Sequence, residues 1–439
     1  MHRKLWRYLR ASLPALLLVY AISAGAWGYG VIVGKYRVFP YRLLDEAHDG
    51  AKYLVAHWEG MLGRKPTFIL KPTRNRGDGV TRLRRDGMQP GLTFVAGFRD
   101  EMPGMWLMSP DGEVVHRWIA SVTAIWPDGD TVPKYARADW ATGVCGSVVL
   151  PDMSVVLSFS NAGMAKLDRS GAVVWALPHT THHIVSQAED GTFWTAGRIE
   201  WPERNPELPM MAPPFEEDTV VQISADGAVL REISVLRLLL DADMEGSLFP
   251  VGAQTLKGAS RDLTHLNDVE VLRTDMADAF PTLAAGDVML SLRNINLIVV
   301  FDPNTLEVKW RQTGPWHRQH DPDFLADGGI SVLNNRMDDT RTGSIFGGSN
   351  IVIVDPGSRQ TRTVYAGNDR DPFFTNIQGR HQHLPNGNML ITETDAGRVF
   401  EVDAGGEIVW EFVNSYDEDH VAVVWHAERL PAGYFDAPR

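Results

Sequence analysis

The hydrophobic pattern divides the chain into three parts. From Ala11 to Gly34 (ASLPALLLVYAISAGAWGYGVIVG) no residue is charged. That length suffices to cross a hydrocarbon core, which takes about 20 apolar residues in a helix. Between Asp45 and Leu62 the period changes. Ala47, Ala51, Leu54, Val55, Trp58, Met61 and Leu62 recur at i, i+3, i+4 spacing, which predicts an amphipathic helix. Residues 63–90 are rich in Gly, Pro and Arg and read as a solvated basic linker.

From Gly91 onward short alternating strands take over, and a repeat emerges. A strand, a tight turn and a strand often ending in Trp recur at 105–118, 164–177, 220–233, 297–310, 351–364 and 399–412. A second hairpin precedes four of them, at 147–160, 184–197, 323–335 and 383–394. Two hairpins per unit make a four-stranded sheet that cannot bury both faces alone. Six such units predict an all-β fold, a six-bladed β-propeller over residues 91–439. The segment 421–435 is placed to pair into the first blade and close the ring. Two inserts interrupt the rhythm: the Pro-rich stretch 199–219, which cannot be strand interior, and 234–264, which begins with a helical run from Ser234 to Asp241.

Charge sharpens the picture. Residues 1–42 carry seven Lys/Arg and no acid, so the remainder holds 35 bases against 55 acids. A body that acidic excludes nucleic-acid binding, which needs basic clusters to neutralise phosphates. Bases ahead of the apolar stretch favour a cytoplasmic amino terminus. The segment 11–34 is then an uncleaved single-pass anchor in the inner membrane, with the rest extracytoplasmic. The competing reading, a signal peptide cut at Ala24-Gly25-Ala26, is disfavoured because the apolar run continues past that point. The single cysteine, Cys145, excludes an intrachain disulfide and a Cys-based zinc site.

The candidate chemistry comes from a phase shared between repeats. Seven residues before the first position of each inner turn lie Cys145, His183, His320, Gly379 and, near the carboxyl end, Trp425. In the blade with an insertion at 273–286, the inner strand begins at His265. The innermost strand of each propeller blade lines the central channel, so His183, His265 and His320 are expected to converge there. Asn267 shares a strand face with His265, and Arg293 is expected on the neighbouring strand. An inward guanidinium beside imidazoles disfavours a divalent metal and favours an oxyanion. No metal and no cofactor are therefore expected. His182 competes with His183 for the channel position. His381 and His383 extend the possible lining, as does Cys145.

The stretches THLNDVEVL, RQHDPDFLADGGISVLNN and HLPNGNMLITETDAGRVFEVDAGGEIVWEFVN resemble the arylsulfotransferase family, whose members transfer sulfuryl groups without a nucleotide donor. The resemblance implies a six-bladed propeller with its site on the channel. It also implies ping-pong transfer from an aryl sulfate donor to a phenolic acceptor through a sulfohistidine. His320 matches the family's nucleophile. His265, Asn267 and Arg293 match the groups around the sulfuryl, and His183 a further histidine. The sequence departs from the family's characterised branch in lacking its disulfide, and Leu266 stands between His265 and Asn267. Two other readings fit the repeats alone: a membrane-tethered propeller acting as a binding module or scaffold, and a quinoprotein-like oxidoreductase.

Overall fold

The computed structural model describes residues 2–36, 38–41, 43–44, 47 and 69–436, apart from 75–76, 130–131, 133–138, 140–141, 250–261, 339 and 341. The chain divides into two compact units, residues 1–68 and 69–439. In the first, one helix runs from His2 to Tyr36. Its section Leu17–Tyr36 is long and apolar enough to cross a membrane. Leu17, Leu18, Val19, Ile22 and Trp27 along it are all exposed. The helix expected over 45–62 lies almost wholly outside the described residues.

The second unit is a six-bladed β-propeller. Its six principal sheets are antiparallel, and in five of them the four blade strands follow one another outward in chain order. The inner strands are Val144–Val149, Thr181–Gln187, Leu266–Val271, His320–Phe324 and Arg380–His383 for blades 2 to 6. Blade 1 takes its inner strand, Val424–Arg429, from the far end of the sequence. It pairs with Thr93–Arg99 (Arg429 opposite Thr93) and closes the ring as the pattern predicted.

The second strands Val155–Phe159, Val288–Leu292 and Met389–Glu393 are buried at every position. Each is sandwiched between neighbouring blades, so both faces are apolar and alternation fades. Outer strands keep alternation because one face meets water. Val173–Leu177 has no fully buried residue.

The recurrent tryptophan of the outer hairpin joins blades. Trp118 Nε1 donates to the Asp168 carbonyl at 3.1 Å, Trp175 to Ala225 at 3.1 Å, Trp310 to Pro356 at 3.0 Å and Trp410 to Pro110 at 2.9 Å. Each acceptor is in the outer turn of the next blade. The Trp410 bond joins blade 6 to blade 1, where the ring closes.

Two expectations are corrected. The basic stretch 63–90 is not solvated throughout. Leu70–Pro72 pairs with His420–Ala422, and Gly79–Leu83 adds a fifth strand outside blade 6. Its arginines find acids there: Arg82 pairs with Asp371 and Glu411, and Arg84 with Asp403. The Pro-rich insert is likewise shorter than its sequence suggests. The strands of blade 3 run on to Trp201 and resume at Phe215, with Trp201 opposite Phe215. Only the prolines between them are left in a loop. The helical run after Ser234 is present as Val235–Asp241, capped by the Ser234 hydroxyl.

Candidate active site

Inner strands begin with a shared irregularity. In five of the six blades the pairing register shifts within the first residues: between Val144 and Gly146, His182 and Val185, Leu266 and Asp268, His320 and Asp323, and Val424 and His426. A bulge of this kind leaves a residue out of the ladder and re-aims its side chain. The result is a small central cavity. Cys145, His183, Asn267, His320, Gln378, Gly379 and Trp425 line it, together with Asp268, Asp321 and Arg380. Every blade contributes, and all five positions found by the seven-residue step are among them. The crowding is tight: a Cβ on Gly146 would come within 2.3 Å of the His183 carbonyl oxygen. The open space is about 20 Å³, room for roughly one water molecule.

In blade 4 the lining position belongs to Asn267. His265 lies just ahead of the strand, and its backbone carbonyl accepts from the Arg293 amide at 3.1 Å. Arg293 itself is past the strand end, in a 3₁₀ turn spanning Arg293–Ile295. The ring of His265 packs edge-on to that of His183, with centroids 4.9 Å apart. Both histidines adopt left-handed backbone, φ 64° and 53°. Such geometry costs roughly 1–3 kcal/mol in a non-glycine residue and concentrates at functional sites.

His182 is not at the channel. It is buried behind His183, Nδ1 to Nδ1 2.7 Å, and its Nε2 lies 3.5 Å from Asp218. Asp218 also accepts from Thr264 at 2.5 Å and the Leu266 amide at 2.8 Å, which anchors blade 3 to blade 4. His265 Nδ1 donates to Asp262. His320 Nδ1 lies 2.8 Å from Asn335 Oδ1, and its Nε2 accepts from the Gln378 amide at 3.2 Å. Among the described residues, His265 Nε2, Asn267 Oδ1 and Arg293 Nε are buried without a hydrogen-bond partner.

The electrostatics favour an anion and neutral imidazoles. Burial and then the Arg293 charge pull His320 down to about 3, against the opposing Asn335 hydrogen bond. His183 is held well below the ordinary value, first by burial and then by the surrounding imidazoles and the Arg293 guanidinium, beside which a second positive charge is disfavoured. Arg293 is lowered to about 10, by burial and then by Arg318. Arg293 and Arg318 share one acceptor, Asn294 Oδ1. Neither guanidinium forms an ion pair among the described residues.

His381 and His383 do not line the cavity. His381 Nδ1 and its backbone amide both face Asp321, at 3.0 and 2.6 Å, and both rings reach Ser331 Oγ. Asp321, Asp323 and His381 form a group whose possible ligand atoms lie within 4.8 Å of one another. Hydrogen bonds already account for the placement of Asp321 and His381. Burial and the Asp321 charge raise Asp268 to about 8. Cys145 faces the cavity, but burial lifts its thiol to about 11, so at neutral pH it is an uncharged wall. A larger cleft of about 490 Å³ between blades 3 and 4 touches none of these histidines.

The sequence reading passed over Asn335, Gln378 and Arg318. Arg318 and Asn335 lie in the same stretch as His320, and Gln378 directly precedes Gly379. Side chains at a distance from the inner-strand phase carry no periodic signal.

The model of one family, described as arylsulfotransferase (ASST), matches residues 146–415, more than half of the sequence. The chain belongs to the arylsulfotransferase family. No curated protein sequence matches it. Solved structures similar to this arylsulfotransferase-family chain share only distant likeness. A protein of unknown function from Bacteroides caccae is 13% identical over 76% of this chain and 99% of its own, with a TM-score of 0.46. Virginiamycin B lyase from Staphylococcus aureus is 11% identical over 63% and 71%, TM-score 0.36. The Pan2 WD40 domain of Neurospora crassa is 12% identical over 76% and 84%, TM-score 0.38. At such scores these likenesses say nothing about this chain's chemistry.

Proposed function

We propose that the chain transfers a sulfuryl group from an aryl sulfate ester to a phenolic acceptor, with His320 as the nucleophile. In the first half-reaction His320 Nε2 attacks sulfur in line. The N–S bond forms, the S–O bond to the aryl group breaks, and its electron pair leaves on the phenolate oxygen. In the second, the acceptor oxygen attacks the same sulfur, the N–S pair returns to Nε2, and the phenolic proton passes to a neighbouring imidazole, His183 or His265. A loose transition state of this kind needs positioning and charge stabilisation more than further covalent help.

The observation that carries this reading is the set of orphaned atoms. Among the described residues, His265 Nε2 and Arg293 Nε are buried without hydrogen-bond partners beside His320 and His183. Buried polar atoms are ordinarily paired, and a sulfuryl group supplies three oxygens to the Arg293 donor and to His265 when its Nε2 carries a proton. The Gln378 amide, now on Nε2, is released once Nε2 bonds sulfur and can donate to a sulfuryl oxygen instead. The narrow cavity does not admit an aromatic ring, so the aryl group stays outside it. The apolar helix holds the propeller at a membrane, with the amino terminus cytoplasmic and the site on the opposite side.

The test is release of a chromogenic phenol from an aryl sulfate, with and without acceptor phenol. Acceptor-dependent release, and a peptide containing His320 heavier by one sulfuryl group, are the expected results. The His320→Ala protein should do neither. Full transfer by that variant would remove His320 from the role.

A further inference from the structure

We infer that Asn335 is a positioning residue that locks His320 in the tautomer protonated on Nδ1, leaving Nε2 as the free nucleophile. The inference rests on the sulfuryl-transfer reading for its purpose, but its geometry stands independently.

The lock follows from counting donors and acceptors. Asn335 is completely buried. Its amide nitrogen donates to two backbone carbonyls, Thr375 at 3.0 Å and Gln378 at 2.7 Å. A side-chain amide has two N–H donors and one carbonyl oxygen, so both donors are spent on those carbonyls. The oxygen must then face His320 Nδ1, 2.8 Å away. Flipping the amide would set its oxygen against two carbonyl oxygens and its NH₂ against the ring. An oxygen acceptor at Nδ1 requires a proton there, which leaves the lone pair on Nε2. The Gln378 amide, its nitrogen 3.2 Å from Nε2, donates there and requires the same assignment from the other side of the ring. Residue 335 is itself fixed, because its backbone carbonyl accepts from Ser349 Oγ at 2.9 Å.

An amide suits this position better than a carboxylate. A carboxylate would stabilise the imidazolium and raise the ring's affinity for protons, which blocks Nε2. An amide oxygen accepts a hydrogen bond without taking the proton. After attack, the ring keeps its Nδ1 proton and carries a positive charge balanced by the sulfonate. The N–S bond is then primed to break toward the acceptor, with the electron pair returning to Nε2. A ring that lost its Nδ1 proton would hold the sulfuryl group as a poorer leaving group.

The test uses full-length protein in detergent, labelled with ¹⁵N-histidine. Long-range ¹H–¹⁵N spectra report the tautomer of His320, assigned by the signals missing in His320→Gln. The expected result is a protonated Nδ1 and an unprotonated Nε2 from pH 5 to 8. A proton on Nε2, or an imidazolium, overturns the inference. Asn335→Leu, similar in size, should lower kcat about 10²-fold, within the loss of up to about 10⁴ that a wrong tautomer causes elsewhere. Its KM for the donor should stay within about threefold, and its spectrum should show mixed tautomers. An unchanged kcat also overturns the inference. If Asn335→Leu fails to fold, the wild-type spectrum still decides. If the protein transfers no sulfuryl group at all, the proposed function falls while the tautomer remains as measured.

Discussion

A free histidine titrates near 6.5. His320 is pulled to about 3, chiefly by burial and then by Arg293. The difference corresponds to about 5 kcal/mol favouring the neutral ring. Lowering the pH separates the two cases. At pH 5 an ordinary histidine is only about 3% neutral, whereas a ring titrating near 3 is about 99% neutral. If His320 attacks as the neutral base, the first half-reaction should run at nearly its pH 7 rate at pH 5. For an unperturbed nucleophile the rate would fall about 25-fold. The assay is single turnover with enzyme in excess over an aryl sulfate, with released phenol quantified by chromatography so that its own ionisation does not enter. Stability changes in the same window, and its sign is fixed. The unfolded chain takes up a proton near 6.5 that the folded site refuses until about 3. The folded state therefore loses stability as pH falls between those values. Rates must be divided by the folded fraction, read by circular dichroism at each pH. A normalised rate that drops tenfold per unit below 6.5 refutes the argument.

Two further outcomes test other parts of the structure. Arg293→Ala should lower donor turnover about 10²–10³-fold, the loss typical of removing one donor to a developing oxyanion; the single-turnover assay measures it, and a change under threefold would place the guanidinium outside the reaction. Trp410→Phe keeps the ring's packing but leaves the Pro110 carbonyl without its indole donor. Destabilisation by about 1 kcal/mol is expected in urea unfolding of the intact protein, and an unchanged midpoint would show that this seam does not depend on the bond.

The sequence made the ring legible because propellers repeat. Outer hairpins, inner hairpins and the closing strand 424–429 follow from alternation and turn residues, and these depend on local spacing. The seven-residue step succeeded for the same reason. It measures from a turn to the start of one strand, and every blade builds that distance alike. What lacked a period was hidden. Gly79–Leu83 pairs outside blade 6 across more than 300 residues of chain, and its arginines look like a solvated stalk until their acids are in view. His381 and His383 share a strand with the channel start, yet Asp321 and Ser331 draw them aside. His182 and His183 are neighbours in sequence. Only the bulge at that position, with His183 in left-handed backbone, settles which ring lines the cavity. Asn335 belongs to the same class: its role comes from two carbonyls some 40 residues away.

The bulge at the start of five of the six inner strands has a consequence for how such a site can diversify. Because Trp425, Cys145, His183 and Asn267 fall in the register gaps, outside the hydrogen-bonded ladder, exchanging them disturbs no strand register. Each blade offers one letter, and here the word runs Trp425, Cys145, His183, Asn267, His320, Gln378. A new reactivity requires respelling a few of these letters while the frame that holds them stays as it is.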